Sequence, residues 1–203
     1  MKSLLSQLRT SVVISVCLLL LVCGLYPAIV WIVAQIVFPY QANGSLVRSG
    51  EKIVGSYLIG QKFEGPMYFH PRPSAAGNGY DARSSGGSNL GTISKNLIET
   101  IKKRAADYRQ ENGLLPYAVI PADAVTASAS GLDPHISPEN AFLQANRVAK
   151  ARNVGEGTVI REILSNTEGP DLWIFGEKRI NVLKLNMALD ELAGKLQSMS
   201  TGG

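Results

Sequence analysis

Serine, histidine and aspartate are the first residues of this chain to consider for chemistry. Ser88 follows a Gly-Gly pair, and the two histidines of the 203 residues are His70 and His135. A serine nucleophile needs a base and an acid that orients the base, and Asp81 or Asp133 could complete such a set. The Gly-x-Ser-x-Gly turn of many hydrolases is absent. A hydrolase therefore stays an alternative interpretation.

Metal ligands and cofactor motifs are sparse. Both cysteines, Cys17 and Cys23, lie in an apolar run, so a zinc site would have to combine a histidine with scattered carboxylates. We expect no metal site. The sequence also lacks a Gly-x-x-x-x-Gly-Lys-Ser/Thr phosphate loop, the Asp-Lys-Thr-Gly-Thr of transport ATPases and the Thr-Val-Gly-Tyr-Gly filter of potassium channels. The chain alone is therefore expected neither to hydrolyse ATP nor to conduct ions.

Two polar stretches could bind an anion or a partner. The first is the loop around Gly86 and Gly87, whose backbone N–H groups could face an anion, although a tight turn is the alternative. The second is one flank of a predicted helix. That flank is either a solvated face or a surface for a partner or a phosphate, and its residues are Gln144, Arg147, Lys150 and Arg152.

A long apolar run near the N-terminus determines where the rest of the chain lies relative to a membrane. No charge occurs from Ser11 to Phe38, and a helix of these 28 residues would be roughly 42 Å long, against about 30 Å for a bilayer core. Lys2 and Arg9 precede the run, which favours a cytoplasmic N-terminus. We therefore expect residues 1–10 in the cytoplasm, a transmembrane helix over 11–38 and an extracytoplasmic domain over 39–203. A cleaved signal peptide is the rival interpretation, but no small-x-small cleavage site follows the run.

The remaining charge is close to balanced. Lys2 and Arg9 are the only charged residues of the first ten, which leaves 20 − 2 = 18 basic against 16 acidic residues in the rest of the chain. This near-neutral balance excludes a typical nucleic-acid-binding domain. The domain contains no cysteine, so it must fold without disulfides.

Periodicity predicts the elements of the larger domain. Turn-forming residues dominate the first part, where Pro71–Leu90 is predicted to be a long ordered loop. Strands are predicted at 52–59, 67–69, 117–121 and 171–175, and helices at 94–112, 138–153, 156–166 and 181–197. The fold class is therefore a single-pass transmembrane helix with a mixed α/β (α+β) soluble extracytoplasmic domain.

Several motifs in order resemble one known family. They include Gln-Ala-Asn-Gly-Ser-Leu from Gln41, Tyr-Phe-His-x-Arg-Pro-Ser-Ala from Tyr68, Ser-Gly-Gly-Ser-Asn-Leu from Ser85 and Ser-Gly-Leu-Asp-Pro-His-Ile-Ser from Ser130. This arrangement resembles KdpC, the C subunit of the Kdp potassium-transporting P-type ATPase. The resemblance covers nearly the whole chain, including the membrane helix, with small departures such as Pro71 and Asn146.

The resemblance implies an accessory, non-catalytic subunit of a high-affinity, ATP-driven potassium uptake complex in the bacterial plasma (inner) membrane. Its partners would be a potassium-binding, channel-like A subunit, a P-type ATPase B subunit and a small F subunit, and the partners would handle potassium. The family is also described as a catalytic chaperone that raises the ATP affinity of the ATPase subunit. That description conflicts with a domain outside the cytoplasm, because ATP is cytoplasmic. A free-standing binding module is the third interpretation.

Site residues follow from the same motifs. For nucleotide or partner contact, the candidates are Gln144, Arg147, Ser85, Gly86, Gly87, Ser88 and Asn89. For partner contact alone, they are Asn43, His70, Arg72, Asp133 and His135. No catalytic residue is assigned.

Overall fold

The computed structural model describes residues 2–201, so the outermost ends of the predicted segments 1–10 and 39–203 lie outside the described residues. The chain divides into two compact units, one of which ends at Leu46 while the other begins at Val47. The predicted fold class, one apolar helix with a mixed helix–sheet domain, is confirmed. Which side of a membrane each part occupies stays a prediction.

The first unit is one long helical stretch followed by a short turn of helix. It consists of α1 (Lys2–Leu19), a π-helical turn (Leu20–Leu25), α2 (Tyr26–Val37) and α3 (Pro39–Ala42). By length and composition, the stretch Ser3–Val37 is sufficient to cross a membrane, and its side chains are exposed. The π-helical turn ends two residues before Pro27, which has no N–H to donate to a helix carbonyl. The helical stretch continues through Pro27.

The second unit contains two small antiparallel sheets. Strands β1 (Leu46–Ser49) and β2 (Lys52–Ser56) form the first. In the second, β5 (Arg179–Asn181) lies between β3 (His135–Ile136) and β4 (Thr167–Glu168). Ile180 pairs with Ile136 on one side and with Thr167 on the other. The predicted loop over 71–90 has no helix or strand.

Five helices complete this unit: α4 (Lys95–Glu111), α5 (Ala122–Val125), α6 (Pro138–Arg152), α7 (Glu156–Ser165) and α8 (Val182–Thr201). Four of them were predicted to within a few residues; α8 continues past the predicted end, and α5 was not predicted. Ser137 caps α6 as expected, since its Oγ accepts a hydrogen bond from the Asn140 N–H. Helices α6, α7 and α8 enclose the core, whose fully buried side chains include Val148, Val159, Ile163, Ile180, Leu185 and Leu189.

Three predicted strands are wrong. Residues 67–69 form a turn and a bend followed by irregular chain and pair with no strand; side chains engage their backbone groups instead. Residues 117–121 form a turn and an irregular stretch that leads into α5. Asp171 and Phe175 form only an isolated bridge that closes a tight turn. In each case a short apolar run satisfied the strand pattern, although no neighbouring strand is available to pair with it.

Candidate functional site

Most of the polar flank predicted for α6 lies inside the domain, where it contacts a segment of the chain that has neither helix nor strand. This segment, Pro66–His70, is called the clamped segment below. Gln144 and Arg147 are buried, and so is the Arg152 side chain; Lys150 alone of the four predicted flank residues is exposed. The expected solvated face is therefore wrong for three of its four residues.

Two side-chain amides replace strand pairing along the clamped segment. Asn186 on α8 accepts a hydrogen bond from the Phe69 N–H at 2.8 Å and donates to the Phe69 carbonyl at 3.0 Å. Gln144 accepts from the His70 N–H at 2.7 Å and donates to the His70 carbonyl at 3.1 Å. Each amide thus satisfies both backbone groups of one residue, as a paired strand would. This allows the Phe69 side chain to be fully buried in the core.

Arg147 binds the carbonyl oxygens at the start of the clamped segment. Its Nη1 donates to Pro66 at 2.7 Å and to Tyr68 at 3.0 Å, while Nε donates to Asn112 Oδ1 and Nη2 to Gln144 Oε1, both at 2.9 Å. Burial lowers the pKa of this guanidinium, and the charge of Glu111 opposes that change. The fixed fork of an arginine suits such a set of neutral acceptors.

Arg152 holds the residue between those two carbonyls. Its Nε donates to the Met67 carbonyl at 2.6 Å, and its guanidinium lies 5.2 Å from the centre of the Tyr68 ring. Nη2 lies 2.8 Å from Asp190 Oδ1, but it does not meet the angles of a hydrogen bond, so this contact is an ion pair only. Arg147, Arg152, Gln144 and Asn186 together engage backbone groups of every residue from 66 to 70.

His70 is held through its ring as well as its backbone. Nε2 lies 3.0 Å from the Gly65 carbonyl oxygen, and Nδ1 lies 2.9 Å from Glu111 Oε1. Both ring nitrogens therefore face acceptors, and both can donate at once only in the protonated imidazolium. Within residues 2–201, no hydrogen bond joins either histidine to Ser88, and the structure does not bring the alternative hydrolase set together.

Arg72, Asp133 and His135 form a second polar cluster. Arg72 Nη1 donates to Asp133 Oδ2 at 2.9 Å, and the His135 N–H donates to Asp133 Oδ1 at 3.0 Å. Although burial opposes the change, the hydrogen bonds from His135 and the charge of Arg72 hold the pKa of Asp133 below its ordinary value. Tyr80 donates to the Arg72 carbonyl at 2.5 Å, and burial raises the pKa of Tyr80 to about 12.

This cluster lines a cleft of about 940 Å³. Its surface is mainly apolar, with Val119, Pro121 and Leu143 among the lining residues. The charged residues Glu177, Lys178 and Arg179 also line it. Three of the predicted partner-contact residues, Arg72, Asp133 and His135, therefore share one surface feature.

The Ser85–Asn89 loop lies against the segment 128–131. Ser85 Oγ and the Gly86 N–H both donate to the Ser130 carbonyl, at 3.0 and 2.9 Å. A Cβ on Gly87 would lie 3.0 Å from the Ala129 carbonyl oxygen, so this close approach favours glycine. Ser88 and Asn89 are exposed. The Gly86 N–H is thus engaged within the chain, while the end of the loop faces outward.

Asn43, the remaining candidate, belongs to the first unit. Its Nδ2 donates to the Pro39 carbonyl at 2.6 Å and to Gln35 Oε1 at 3.1 Å. These contacts close the short helix α3. Among the described residues, no group of three or more histidine, cysteine or acidic side chains is arranged to hold a metal ion.

A family model described as "KdpC: K+-transporting ATPase, c chain" matches residues 8–191. This range includes the apolar helix, the clamped segment, the cleft and the first half of α8. The chain belongs to the KdpC family.

Curated relatives agree with this assignment. The chain is 51% identical over 192 residues to a "Potassium-transporting ATPase KdpC subunit" of Nitratidesulfovibrio vulgaris, which covers 94% of this chain and 97% of that protein. It is 52% identical over 201 residues to the subunit of the same name of Caulobacter vibrioides, covering 98% and 100% of the two chains. The subunit of Mycobacterium tuberculosis is 50% identical over 167 residues, covering 82% and 88%.

Sequence reasoning missed several residues of these KdpC-family clusters. Asn186 had a detectable signal, because it interrupts the apolar face of α8 at the spacing of its buried neighbours Val182 and Leu189. Asp123 accepts hydrogen bonds from the Ser137 N–H, the Ser137 hydroxyl and the Asn140 side chain at the start of α6. No sequence pattern predicts that contact, because an irregular loop separates Asp123 from the start of α6.

Proposed function

We propose that this chain is a non-catalytic accessory subunit of a high-affinity potassium-transporting ATPase, needed for assembly and activity of the complex. Family membership supports a role as one subunit of that complex. The partners proposed here are the potassium-binding, channel-like subunit, the P-type ATPase subunit and the small F subunit. Potassium and ATP hydrolysis belong to those partners.

The proposal that the subunit is non-catalytic rests on the hydrogen bonds of its buried polar side chains. Gln144, Arg147 and Asn186 have the types and the burial expected of active-site groups, yet their hydrogen bonds go to this chain's own backbone and side chains. His70 is likewise engaged by Gly65 and Glu111. These side chains stabilise the fold, and they could take part in a reaction only after breaking those hydrogen bonds.

The proposed topology is a cytoplasmic N-terminus, one transmembrane helix and an extracytoplasmic domain in the bacterial inner membrane. It is supported by the uncharged stretch from Ser11 and by Lys2 and Arg9 before it. In this arrangement the domain faces the outer mouth of the channel-like subunit, where we propose that it binds. The helix would pack beside the same subunit.

Nucleotide binding is compatible with this proposal only in a limited way. Contact through Gln144 or Arg147 would have to displace the bonds that hold residues 66–70. The exposed end of the loop, Ser88 and Asn89, is accessible without such a change. We therefore propose no ATP site at α6 in the resting fold, and any nucleotide effect would act through the ATPase subunit.

Cysteine labelling of the full chain tests the topology. Cys17 and Cys23 are replaced by alanine, and a single cysteine is placed at the exposed position Asn78 or, as the matched control, at Ser6. A membrane-impermeant maleimide should label the Asn78→Cys chain in spheroplasts and the Ser6→Cys chain only after permeabilisation. The reverse pattern would place the domain in the cytoplasm and remove the proposal of an outer binding site.

Complementation tests the accessory role. Cells that lack their own copy of this subunit should regain growth and potassium uptake at limiting potassium when this chain is supplied together with its partner genes. Normal uptake and normal assembly without the chain would contradict the proposed requirement.

A further inference from the structure

The turn between β4 and β5 exposes four consecutive large apolar side chains. We call Leu172–Phe175 the apolar tip. All four of its side chains are largely exposed: Leu172 is 78% exposed, Trp173 95%, Ile174 79% and Phe175 63%. Single exposed apolar residues are ordinary on a protein surface, but a contiguous cluster marks a contact site.

Hydrogen bonds fix the shape of the apolar tip. The Asp171 N–H donates to the Phe175 carbonyl at 2.8 Å, and the Phe175 N–H donates back to the Asp171 carbonyl at 2.9 Å. The Asp171 side chain in turn lies 2.9 Å from Arg179 Nη2. The tip is therefore a closed turn tied to β5, and it presents its side chains without a large cost of ordering on binding.

Backbone strain distinguishes the tip from an ordinary turn. Leu172 has φ 51° and Trp173 has φ 69°, which are left-handed conformations. Such conformations are unfavourable for non-glycine residues, because the Cβ comes too close to the following carbonyl oxygen. Glycine or asparagine would close the same turn at a lower cost. The presence of leucine and tryptophan at these positions points to a use for their side chains.

The neighbouring cleft extends this surface. One residue after the tip come Glu177, Lys178 and Arg179, which line the 940 Å³ cleft. The apolar lining of the cleft includes Val119, which is 88% exposed. A projecting apolar element beside a recess lined by apolar and charged residues has the anatomy of a protein–protein interface.

We propose that the apolar tip docks into an apolar pocket on another subunit of the potassium-transporting ATPase, with Trp173 as its main anchor. This inference rests on the proposed function, because it names the contact surface of the accessory subunit. Buried tryptophans at the centre of an interface commonly carry a large part of the binding energy.

Charge and shape favour a protein partner over the lipid surface. The four charged residues beside the tip, Asp171, Glu177, Lys178 and Arg179, sum to zero, so no basic excess attracts anionic headgroups. A turn of fixed, strained shape is suited to a protein pocket of complementary shape. Insertion into a fluid bilayer does not require a fixed shape. Membership of the KdpC family also implies partner subunits.

Tryptophan fluorescence tests the docking without altering the tip. The chain contains two tryptophans, Trp31 and Trp173, so the full-length Trp31→Phe variant labelled with 7-azatryptophan carries this fluorophore at position 173 alone, and it can be excited apart from the ordinary tryptophans of the other subunits. The variant is reconstituted in nanodiscs that contain brominated phosphatidylglycerol, and the remaining subunits of the ATPase are then added. We expect solvent-exposed emission without lipid quenching at first, and a shift to shorter wavelength when the subunits bind. Quenching by the brominated lipid before they are added, or binding without a shift, overturns the inference.

Affinity measurements in mild detergent supply the energetic test. Trp173→Ala should weaken binding of the full chain to the remaining subunits at least about 30-fold. Ile93→Ala is the matched control, since Ile93 is an apolar residue 92% exposed outside the tip, and it should leave the affinity within a factor of about three. Equal affinities for both variants overturn the tip as an anchor while leaving the accessory role intact. Failure of the unsubstituted chain to bind the subunits at all would instead contradict the proposed function.

Discussion

Around the clamped segment, polar and charged side chains of α6 and α8 lie inside the domain, whereas in the apolar tip large apolar side chains lie on its surface. Both regions lack regular strand pairing, and both depart from the usual distribution of residue types. The clamped segment is stabilised by four side chains from two helices. The apolar tip is closed by its own backbone and by one ion pair.

The difference shows that buried polar side chains stabilise this domain, whereas its exposed apolar side chains are available for binding. Residues that suggested chemistry or ligand contact, such as His70 and Arg147, act as structural supports, because each finds its hydrogen-bond partners within the domain. The apolar residues that suggested a strand, Leu172 to Phe175, find no partner within the domain. Binding is therefore assigned to the apolar tip, and rigidity to the clamped segment.

Removing Arg147 should have the largest effect on stability. The Arg147→Met substitution leaves the carbonyl oxygens of Pro66 and Tyr68 and the side chains of Asn112 and Gln144 with lost partners in a buried site. We expect a loss of about 3–5 kcal/mol in the free energy of unfolding. Urea unfolding of the full chain in mild detergent measures it. The exposed neighbour Lys150→Met should stay within about 0.5 kcal/mol, and equal effects of the two would show that the clamp is not a support.

Changing Asn186 to aspartate should have the next largest effect. The aspartate can still accept from the Phe69 N–H, but an ionised carboxylate cannot donate to the Phe69 carbonyl. We expect a loss of about 2–4 kcal/mol at pH 7. The loss should shrink as the pH falls, because the protonated form can donate. Asn96→Asp, at the exposed start of α4, is the control and should be close to neutral; a loss that does not depend on pH would contradict this account of Asn186.

The contribution of Asp133 to the free energy of unfolding should depend on pH. Its pKa in the folded state lies below the ordinary value of about 4, so its carboxylate stabilises the fold at neutral pH. That contribution is lost as the pH falls through the lowered pKa. Asp133→Asn should cost about 1–2 kcal/mol at pH 7, and the difference from the unsubstituted chain should narrow on acidification. The exposed Asp107→Asn serves as control, and a difference that is constant from neutral to acidic pH would contradict the assignment.

The smallest stability effect is expected at the apolar tip. Trp173→Gly removes a side chain that packs on little of the domain and relieves a left-handed conformation. The free energy of unfolding should change by no more than about 1 kcal/mol in either direction. A loss above about 2 kcal/mol in the same urea assay would mean that the tip supports the fold, and the contrast between the two regions would fail.

Much of this fold was accessible from periodicity, but its polar interior was not. Leu185 and Leu189 recur at helical spacing, and Ser137-Pro138 announces the start of a helix, so α6 and α8 were predicted. The partners of Gln144 lie 74 residues away at His70, and those of Asn186 lie 117 residues away at Phe69. Local pattern holds no information about contacts of that range. The tip was wrongly predicted as a strand because a short apolar run alone cannot show whether a neighbouring strand exists.

Hydrogen–deuterium exchange of the free chain and of the assembled ATPase tests the contrast most directly. The account predicts that the amides of Phe69 and His70, which are bonded to Asn186 and Gln144, exchange slowly in both samples. It also predicts that residues 170–176 become protected only on assembly. Rapid exchange at Phe69 and His70 in the folded free chain, or unchanged exchange of residues 170–176 in the complex, would contradict it.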